Sequence, residues 1–231
     1  MQKQNEVQVL TNVIDAVSSL GIDELLIAVD EIISDLTTAD STGIYTLDQS
    51  SDSVILRASK IHFDCIGKLK MKRGEGITGW VAQKGIAVVI EKDAVKDPRF
   101  SRVAELPDDL YESFLSVPIQ NGEVIMGVIN IKHKNEHQYS PELVALVGLI
   151  GKLVGKAIER ATLLEETQNL KEAIETQKSV NLAKNLLMKK LNISENEAFQ
   201  LLRKQSMNKR ISLLEVSQAV LTSESLLDNL T

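Results

Sequence analysis

A run of about fifty residues with no interior proline constrains the fold more than any other feature of the chain. Between Ser140 and Asn192 the only proline is Pro141, and glycine is the only other helix-weakening residue. Ser140 offers a capping hydroxyl, and Pro141 suits the first helical position because its missing N–H needs no partner there. We therefore predict one very long helix that ends at about Asn192.

An apolar seam runs along this predicted helix. Its first members alternate spacings of three and four, the pattern of a coiled coil: Val147, Ile150, Val154, Ala157, Ala161 and Leu164. The seam then shifts phase, which alters supercoiling, and continues through Leu163, Thr167, Leu170 and Ile174. We expect residues 143–157 to pack on the chain's own sheet, whereas the later stretch has no other core to bury against. A parallel homodimer is therefore predicted.

The residues before the long helix predict two helices and then an antiparallel sheet. Apolar residues recur at three and four in Val7–Leu20 and Ile22–Leu36, and Asp23 is available as an N-cap. Six short β-rich runs follow, separated by turn residues: 42–47, 53–59, 69–72, 87–90, 113–120 and 123–133. The Asn121-Gly122 pair predicts a hairpin between the last two runs. The fold class is therefore α+β, with the sheet flanked by helices.

Two helix starts of the same design follow the long helix. Ser194 with Glu197, and Ser212 with Glu215, each fit a capping box, in which hydroxyl and carboxylate satisfy free backbone donors reciprocally. We therefore predict a C-terminal three-helix bundle that includes the end of the long helix. Its core is predicted to hold Val180, Ala183, Leu187, Leu191, Ile193, Ala198, Leu202, Ile211, Val216 and Val220.

The chain is acidic, yet it carries a concentrated positive segment near its end. The net charge is −6, but the segment from Lys178 to Arg210 holds eight basic and two acidic residues. Its balance is +6, so the remainder carries −12. Because Lys and Arg displace counterions from phosphate, this asymmetry indicates a polyanion partner that binds through this segment. A solvated face is the alternative reading of such a charge run.

One arc of the first bundle helix is left outside the predicted core. At about 100° per residue, this arc is cationic and rich in amides: Lys178, Asn181, Lys184, Asn185, Met188 and Lys189.

The same segment carries the motifs of a known family. Residues 183–188 read AKNLLM and residues 194–204 read SENEAFQLLRK, with a turn at 206–210. Over about residues 171–221 the chain resembles the ANTAR family of RNA-binding antitermination regulators, whose pattern is AKG-x-LM and then S-x-x-EAF-x-L-[RK]-x-x-S. Asn185 stands where the family usually has glycine, so its side chain would alter contact with a closely approaching RNA backbone.

The resemblance implies binding of stem-loops in leader RNA that favours an antiterminator over an intrinsic terminator. Five residues would neutralise phosphates: Lys184, Arg203, Lys204, Lys209 and Arg210. Four would read loop bases or ribose hydroxyls: Asn181, Asn185, Ser206 and Asn208. Lys178, Met188 and Lys189 complete the predicted RNA-binding face. Phe199 is the only aromatic residue in the region and its spacing places it in the core, so recognition is expected to depend on hairpin shape.

The upstream part resembles a GAF domain over roughly residues 5–160. The resemblance lies in residues 74–82 (GEGITGWVA), 97–100 (DPRF), 113–118 and 127–130. It implies a sensor that binds a small molecule or a signalling protein. The residue set of cyclic-nucleotide GAF domains is not evident. The Gly-rich run could present backbone amides to an anion, although such runs most often only turn the chain.

Several other function classes are disfavoured. Cys65 is the only cysteine, and His62, His133 and His137 lack metal-ligand spacing, so we expect no disulfide and no zinc site. Some GAF domains reduce free methionine sulfoxide, but with several cysteines. Because no nucleophile elbow, HExxH or Walker loop occurs, we expect no enzyme and no cofactor. No apolar stretch reaches about 18 residues and no signal-peptide order is present, which predicts a cytoplasmic protein without membrane contact.

We therefore predict a sensor and an effector joined by a helix. The GAF domain is expected over residues 1–160, a coiled-coil linker over 141–175 and the ANTAR domain over 171–231. Two alternatives remain. The tail could be a DNA-binding helix-turn-helix, but its helix at 212–221 holds no Lys or Arg and does hold Glu215. Otherwise the tail docks a partner protein such as a kinase, and its basic face is incidental.

Overall fold

A computed structural model describes residues 2–101 and 110–228 of the chain. Residues 1, 102–109 and 229–231 of the predicted domain ranges lie outside this description. The chain divides into two compact units, residues 1–162 and residues 163–231, and each is described by itself.

The first unit is built on one antiparallel sheet of six strands. The strand order across the sheet is β3-β2-β1-β6-β5-β4. The strands are β1 (Ser41–Asp48), β2 (Ser53–Ala58), β3 (Lys70–Lys72), β4 (Val88–Ile90), β5 (Ser113–Asn121) and β6 (Val124–His133). Helices α1 (Gln2–Ser19) and α2 (Ile22–Thr37) precede the sheet, and α3 (Gly76–Lys84) lies between β3 and β4. The predicted α+β class is confirmed.

Two cores lie on opposite faces of this sheet, because side chains alternate along a strand. Ile44 of β1 and Ile129 of β6 face helices α1 and α2 and the first part of the long helix α4 (Pro141–Leu191). Their neighbours Tyr45 and Val128 face α3 and the loops around it. The sheet is therefore covered by helices on both sides.

The predicted long helix is confirmed as α4, 51 residues from Pro141 to Leu191. The Leu143 backbone N–H donates to the Ser140 hydroxyl at 3.2 Å, as a capping residue requires. The first seam residues are buried in the first unit's core, as expected: Val147, Ile150, Val154 and Ala157.

Two glycines let α4 approach β5 closely. A Cβ on Gly151 would lie 2.6 Å from the Pro118 carbonyl oxygen, and one on Gly155 would lie 2.5 Å from that of Gln120. Both distances are far below a normal contact, so only a residue without a side chain fits. The backbone of the helix is thus held directly against the edge of the hairpin.

A stacked histidine pair, in which His133 is buried and His137 half-buried, lies between the end of α2 and the start of α4. The His133 and His137 rings stack with centroids 3.7 Å apart. Nδ1 of His133 lies 3.0 Å from the Tyr139 hydroxyl, and Nε2 lies 3.3 Å from the Thr37 carbonyl oxygen. Burial lowers the pKa of His133 below its ordinary value. The neutral ring therefore bridges two elements that flank the sheet.

Two local predictions in the first unit need correction. Asp23 is not the N-cap of α2, because Gly21 holds that position and Asp23 lies inside the first turn, where it pairs with Arg57. The predicted β5–β6 hairpin is present, but Asn121 pairs with Val124, so the two turn residues are Gly122 and Glu123. Gly122 adopts a φ of 59°, which a glycine reaches without strain.

The second unit holds the end of α4 with α5 (Glu195–Lys209) and α6 (Leu213–Asp228). Val180, Ala183, Leu202 and Val216 are its buried core. The chain leaves α4 through Asn192, which is left-handed at a φ of 51°.

Both predicted capping boxes are confirmed. The Ser194 backbone N–H donates to Glu197 at 2.9 Å, and the Ser212 N–H donates to Glu215 at 2.7 Å. In each box the glutamate backbone N–H in turn donates to the serine hydroxyl.

Two residues were wrongly assigned to the bundle core. Leu191 is 53% exposed and Ile211 is 37% exposed. Leu191 is the last residue of α4 and Ile211 follows the left-handed Arg210, so both lie at helix ends, where helical periodicity no longer predicts burial.

Gly155→Ala is expected to destabilise the first unit by about 1–3 kcal/mol, because the added methyl group must push α4 away from β5. Urea unfolding followed by the fluorescence of Trp80, the only tryptophan, reports on this unit. Gly148→Ala is the matched control. Nothing lies within 4 Å of its Cβ, so it should stabilise the helix by up to about 1 kcal/mol. Equal effects of the two changes would contradict the close approach.

Candidate nucleic-acid interface

The predicted RNA-binding residues lie on α4, on α5 and in the turn after α5. Nine of them are exposed: Lys178, Asn181, Asn185, Lys189, Arg203, Lys204, Asn208, Lys209 and Arg210. Lys184, Met188 and Ser206 are half-buried. The exposed set is called the basic face below.

On α4 the basic face and the core lie on different sides of the helix. Val180 and Ala183 are buried, while Lys178, Asn181 and Asn185 are exposed. The exposed Asn181 accepts a hydrogen bond from the Gln177 side chain at 3.1 Å, and that bond does not use its own side-chain N–H groups. The arc therefore presents cations and amide donors to solvent.

On α5 two exposed basic residues come directly after a buried residue in the sequence. Leu202 is 1% exposed, and the next two residues, Arg203 and Lys204, are exposed. Lys209 stands in the last turn, where the carboxyl end of the helix dipole favours a cation. These side chains can therefore contact phosphate without disturbing the core.

The turn after α5 uses one predicted contact residue for its own structure. The Ser206 hydroxyl donates to the Ile211 carbonyl oxygen at 2.7 Å, so it can only accept a hydrogen bond from a ligand. Arg210 is left-handed at a φ of 53°, and its backbone N–H donates to the Met207 and Ser206 carbonyl oxygens. The closed turn holds the Arg210 side chain at the exposed end of the bundle.

Lys184 was expected to be a surface group, and that expectation is wrong. Its side chain is only 14% exposed, and its Nζ lies 2.6 Å from Oε1 of Glu195. The hydrogen bond from Lys184 lowers the pKa of the Glu195 carboxyl below its ordinary value. The sequence carried no periodic signal for Glu195 as a partner, because the two residues are joined only when α5 folds back beside α4.

Helix α6 carries no basic side chain that could bind in a DNA groove. Residues 213–228 contain no Lys or Arg, and the carboxylate of Glu215 is used in the capping box. Phe199 packs against the bundle core as predicted, so it is not placed to stack on a base. The chemistry of the basic face is thus that of cations and amides.

The first unit holds buried polar groups on the α3 side of its sheet that sequence reasoning missed. The Ser116 hydroxyl donates to Asn130 at 2.7 Å, and the Asn130 amide donates to the Thr78 hydroxyl at 2.7 Å. On the same strand, Lys132 is 6% exposed and its Nζ lies 4.7 Å from the centre of the Tyr111 ring. Polar residues on the same face of β6 as Val128, alternating with Ile129 and Ile131 in a buried strand, were the signal.

The Gly-rich run of the first unit shapes the backbone before α3. Gly74 and Gly76 have φ values of 90° and 66°, and a Cβ on Gly79 would lie 2.3 Å from the Lys72 carbonyl oxygen. The positive φ values of Gly74 and Gly76 and the close approach of the Lys72 carbonyl oxygen to Gly79 therefore account for these glycines. Cys65 is half-buried against the α3-side core.

Among the helices of the described part of the chain, none is both long and apolar enough to span a bilayer.

Comparison with known families identifies both units. The sequence model of the GAF domain matches residues 6–159, and that of the ANTAR domain matches residues 168–221. Both resemblances indicated by the motifs are confirmed. No curated protein matches the chain.

Solved structures share the fold of the first unit. The GAF domain of a phosphoenolpyruvate-protein phosphotransferase from Coxiella burnetii is 21% identical, with 71% of this chain and 98% of that chain covered, at a TM-score of 0.66. The corresponding Acinetobacter domain is 22% identical, with 71% and 95% covered, at 0.64. Free methionine-R-sulfoxide reductase from Neisseria meningitidis, in complex with its substrate, is 19% identical, with 69% and 91% covered, at 0.58. At these identities the likeness shows the fold alone.

Leu202→Ala is expected to destabilise the bundle by about 2–5 kcal/mol, because it removes a fully buried side chain. Its neighbour Arg203 is exposed, so Arg203→Ala should change stability by less than about 0.5 kcal/mol. Hydrogen exchange of α5 amides, measured by mass spectrometry, separates this unit from the first. Equal protection in the two variants would contradict the assignment of buried and exposed faces.

Proposed function

The chain belongs to the GAF domain family and carries an ANTAR domain behind its GAF domain, and on this premise we propose a signal-responsive transcription antitermination regulator that binds stem-loop leader RNA. Its ANTAR domain binds the RNA and its GAF domain controls that binding. Such a regulator acts in the cytoplasm, where the transcripts are made. The two family matches support the general class, a GAF-regulated ANTAR protein of the RNA-binding antitermination type.

The observation that carries the proposal is the exposed basic face in an acidic protein. The segment from Lys178 to Arg210 has a balance of +6, while the remainder carries −12. Charges outside the segment therefore repel a polyanion, and the attraction is confined to the bundle. RNA phosphates meet the cations of this face and the released counterions supply affinity.

The chemistry of the face favours a folded hairpin over a stretched single strand. Single-strand binders stack bases on aromatic rings, whereas the one aromatic residue of the bundle, Phe199, packs against its core. Arg203, Lys204, Lys209 and Arg210 contact phosphates, while Asn181, Asn185 and Asn208 contact loop bases or ribose hydroxyls. Selectivity then depends on how phosphates are spaced around a stem and loop.

The exposed apolar seam of α4 supports a parallel homodimer. Leu163, Leu164, Leu170 and Ile174 are between 54% and 64% exposed. Leaving such residues in water forgoes the burial free energy that a second helix would supply. Pairing of this stretch brings two ANTAR domains together, so that one dimer can engage two hairpins.

The GAF domain supplies the control. It takes up a small molecule or a signalling partner, and the effect passes along α4, whose residues pack in the cores of both units. No cofactor is required for this function.

Arg203→Ala and Arg210→Ala are each expected to weaken binding of a labelled hairpin RNA, measured by fluorescence anisotropy over a series of salt concentrations. Removing one phosphate contact to unpaired RNA should flatten the plot of log affinity against log salt by about 0.7. Lys171→Ala is the matched control, since Lys171 is an exposed cation of α4 outside the basic face. Unchanged affinity and slope in both arginine variants would reduce the basic face to a solvated surface.

Light scattering at micromolar concentration should show a dimer of the intact chain. Ile174→Lys should favour the monomer, because it places a charge in the exposed seam. Glu172→Lys, an exposed change outside the seam, should leave the dimer intact. A monomeric wild-type chain would rule out the coiled coil.

A further inference from the structure

Lys184 differs from the exposed cations of the bundle in both burial and bonding. Its side chain is 14% exposed, whereas the side chain of its partner Glu195 is 68% exposed. The ammonium donates a charge-assisted hydrogen bond to the carboxylate at 2.6 Å.

The ion pair spans the corner between two helices. Lys184 lies two turns before the end of α4, and Glu195 is the first residue of α5. Each stands beside a fully buried alanine, Ala183 on α4 and Ala198 three residues into α5. The pair therefore joins the two helices at the rim of their contact.

We propose that Lys184 is a positioning residue that holds α5 against α4 through Glu195, and that it does not contact RNA phosphate. This inference rests on the proposed RNA binding of the bundle. It assigns a separate task to a residue that the motif places within the RNA-binding run.

If the Lys184 ammonium exchanged its partner Glu195 for an RNA phosphate, the free energy of binding would improve little. The ammonium would leave one anion for another, and the half-buried stem would have to become more exposed to reach it. The released Glu195 carboxylate would then stand unpaired beside incoming phosphates and repel them. Keeping the ion pair in the complex avoids both costs, because it neutralises Glu195.

The pair matters for RNA because the basic face is divided between the two helices. Lys178, Asn181 and Asn185 lie on α4, while Arg203 and Lys204 lie on α5. A rigid corner keeps the basic residues of α4 and those of α5 at a fixed distance from each other. Binding to a hairpin requires this, because the spacing of its phosphates is also fixed.

The test uses the full chain and a labelled hairpin RNA in anisotropy titrations at several salt concentrations. Lys184→Met, Glu195→Gln and the double variant should each weaken binding by the same factor, roughly five- to tenfold, because a coupled pair in contact is not additive. The salt slope should stay that of wild type in all three. Lys184→Arg, which can keep the ion pair, should restore most of the affinity.

Lys204→Met is the matched control, since Lys204 is an exposed cation of the basic face. It should flatten the salt slope by about 0.7, because it removes a cation that neutralises one phosphate. A similar flattening in Lys184→Met, present with or without Glu195→Gln, would overturn the proposal. So would tighter binding by Glu195→Gln, which would mean that Glu195 shields Lys184 from RNA.

Failure of the proposed function gives a different result. If wild type does not bind the hairpin, the RNA-binding function and this inference both fall. If wild type binds and Lys184→Met behaves like Lys204→Met, the positioning role is overturned and the RNA-binding function stands. Hydrogen exchange of the amides of residues 192–199 should rise in Lys184→Met and Glu195→Gln but not in Lys204→Met. Unchanged exchange in the two ion-pair variants would also overturn the positioning role of Lys184.

Discussion

One uninterrupted helix, α4, contributes side chains to two separate hydrophobic cores. Val147, Ile150 and Val154 of α4 are buried against the sheet, while Val180 and Ala183 of the same helix are buried in the bundle. A helix transmits rotation and translation because its backbone hydrogen bonds resist local twisting. The same helix backbone also carries four of the nine residues of the basic face.

The first part of α4 packs against β5 so closely that it tolerates no side chain at two positions. Gly151 and Gly155 bring the helix backbone against the carbonyl oxygens of β5, so small shifts of the sheet reach the helix directly. Such close packing responds in discrete steps rather than by gradual deformation. If the GAF domain controls the bundle as proposed, this contact is where a change in the sheet would reach α4.

Much of the fold follows from patterns that are local in sequence. The capping hydroxyl of Ser140, the proline after it and the two S-x-x-E boxes each specify a helix start within four residues. The β-rich runs predicted the six strands because alternation and turn residues are also local. The errors at Asp23, Leu191 and Ile211 all lie at helix ends, where one residue of displacement moves a side chain from cap to turn or from core to solvent.

The site was less predictable because it depends on contacts between elements. Helical periodicity correctly placed Lys178, Asn181 and Asn185 on an exposed arc. It could not show that Glu195 would reach back to Lys184, since that contact depends on the angle between α4 and α5. Nor could it show that the Ser206 hydroxyl would close the turn at Ile211. Periodicity assigns faces, whereas the partners across a corner are decided by tertiary packing.

A competition titration can decide whether the bundle recognises folded RNA. The intact chain is bound to a labelled RNA hairpin and challenged with the unlabelled hairpin, an unstructured RNA of the same length, and a matched DNA duplex. Only the hairpin is expected to displace the label at concentrations near its own dissociation constant. Equal displacement by all three, or no binding of the labelled hairpin, would contradict recognition of folded RNA.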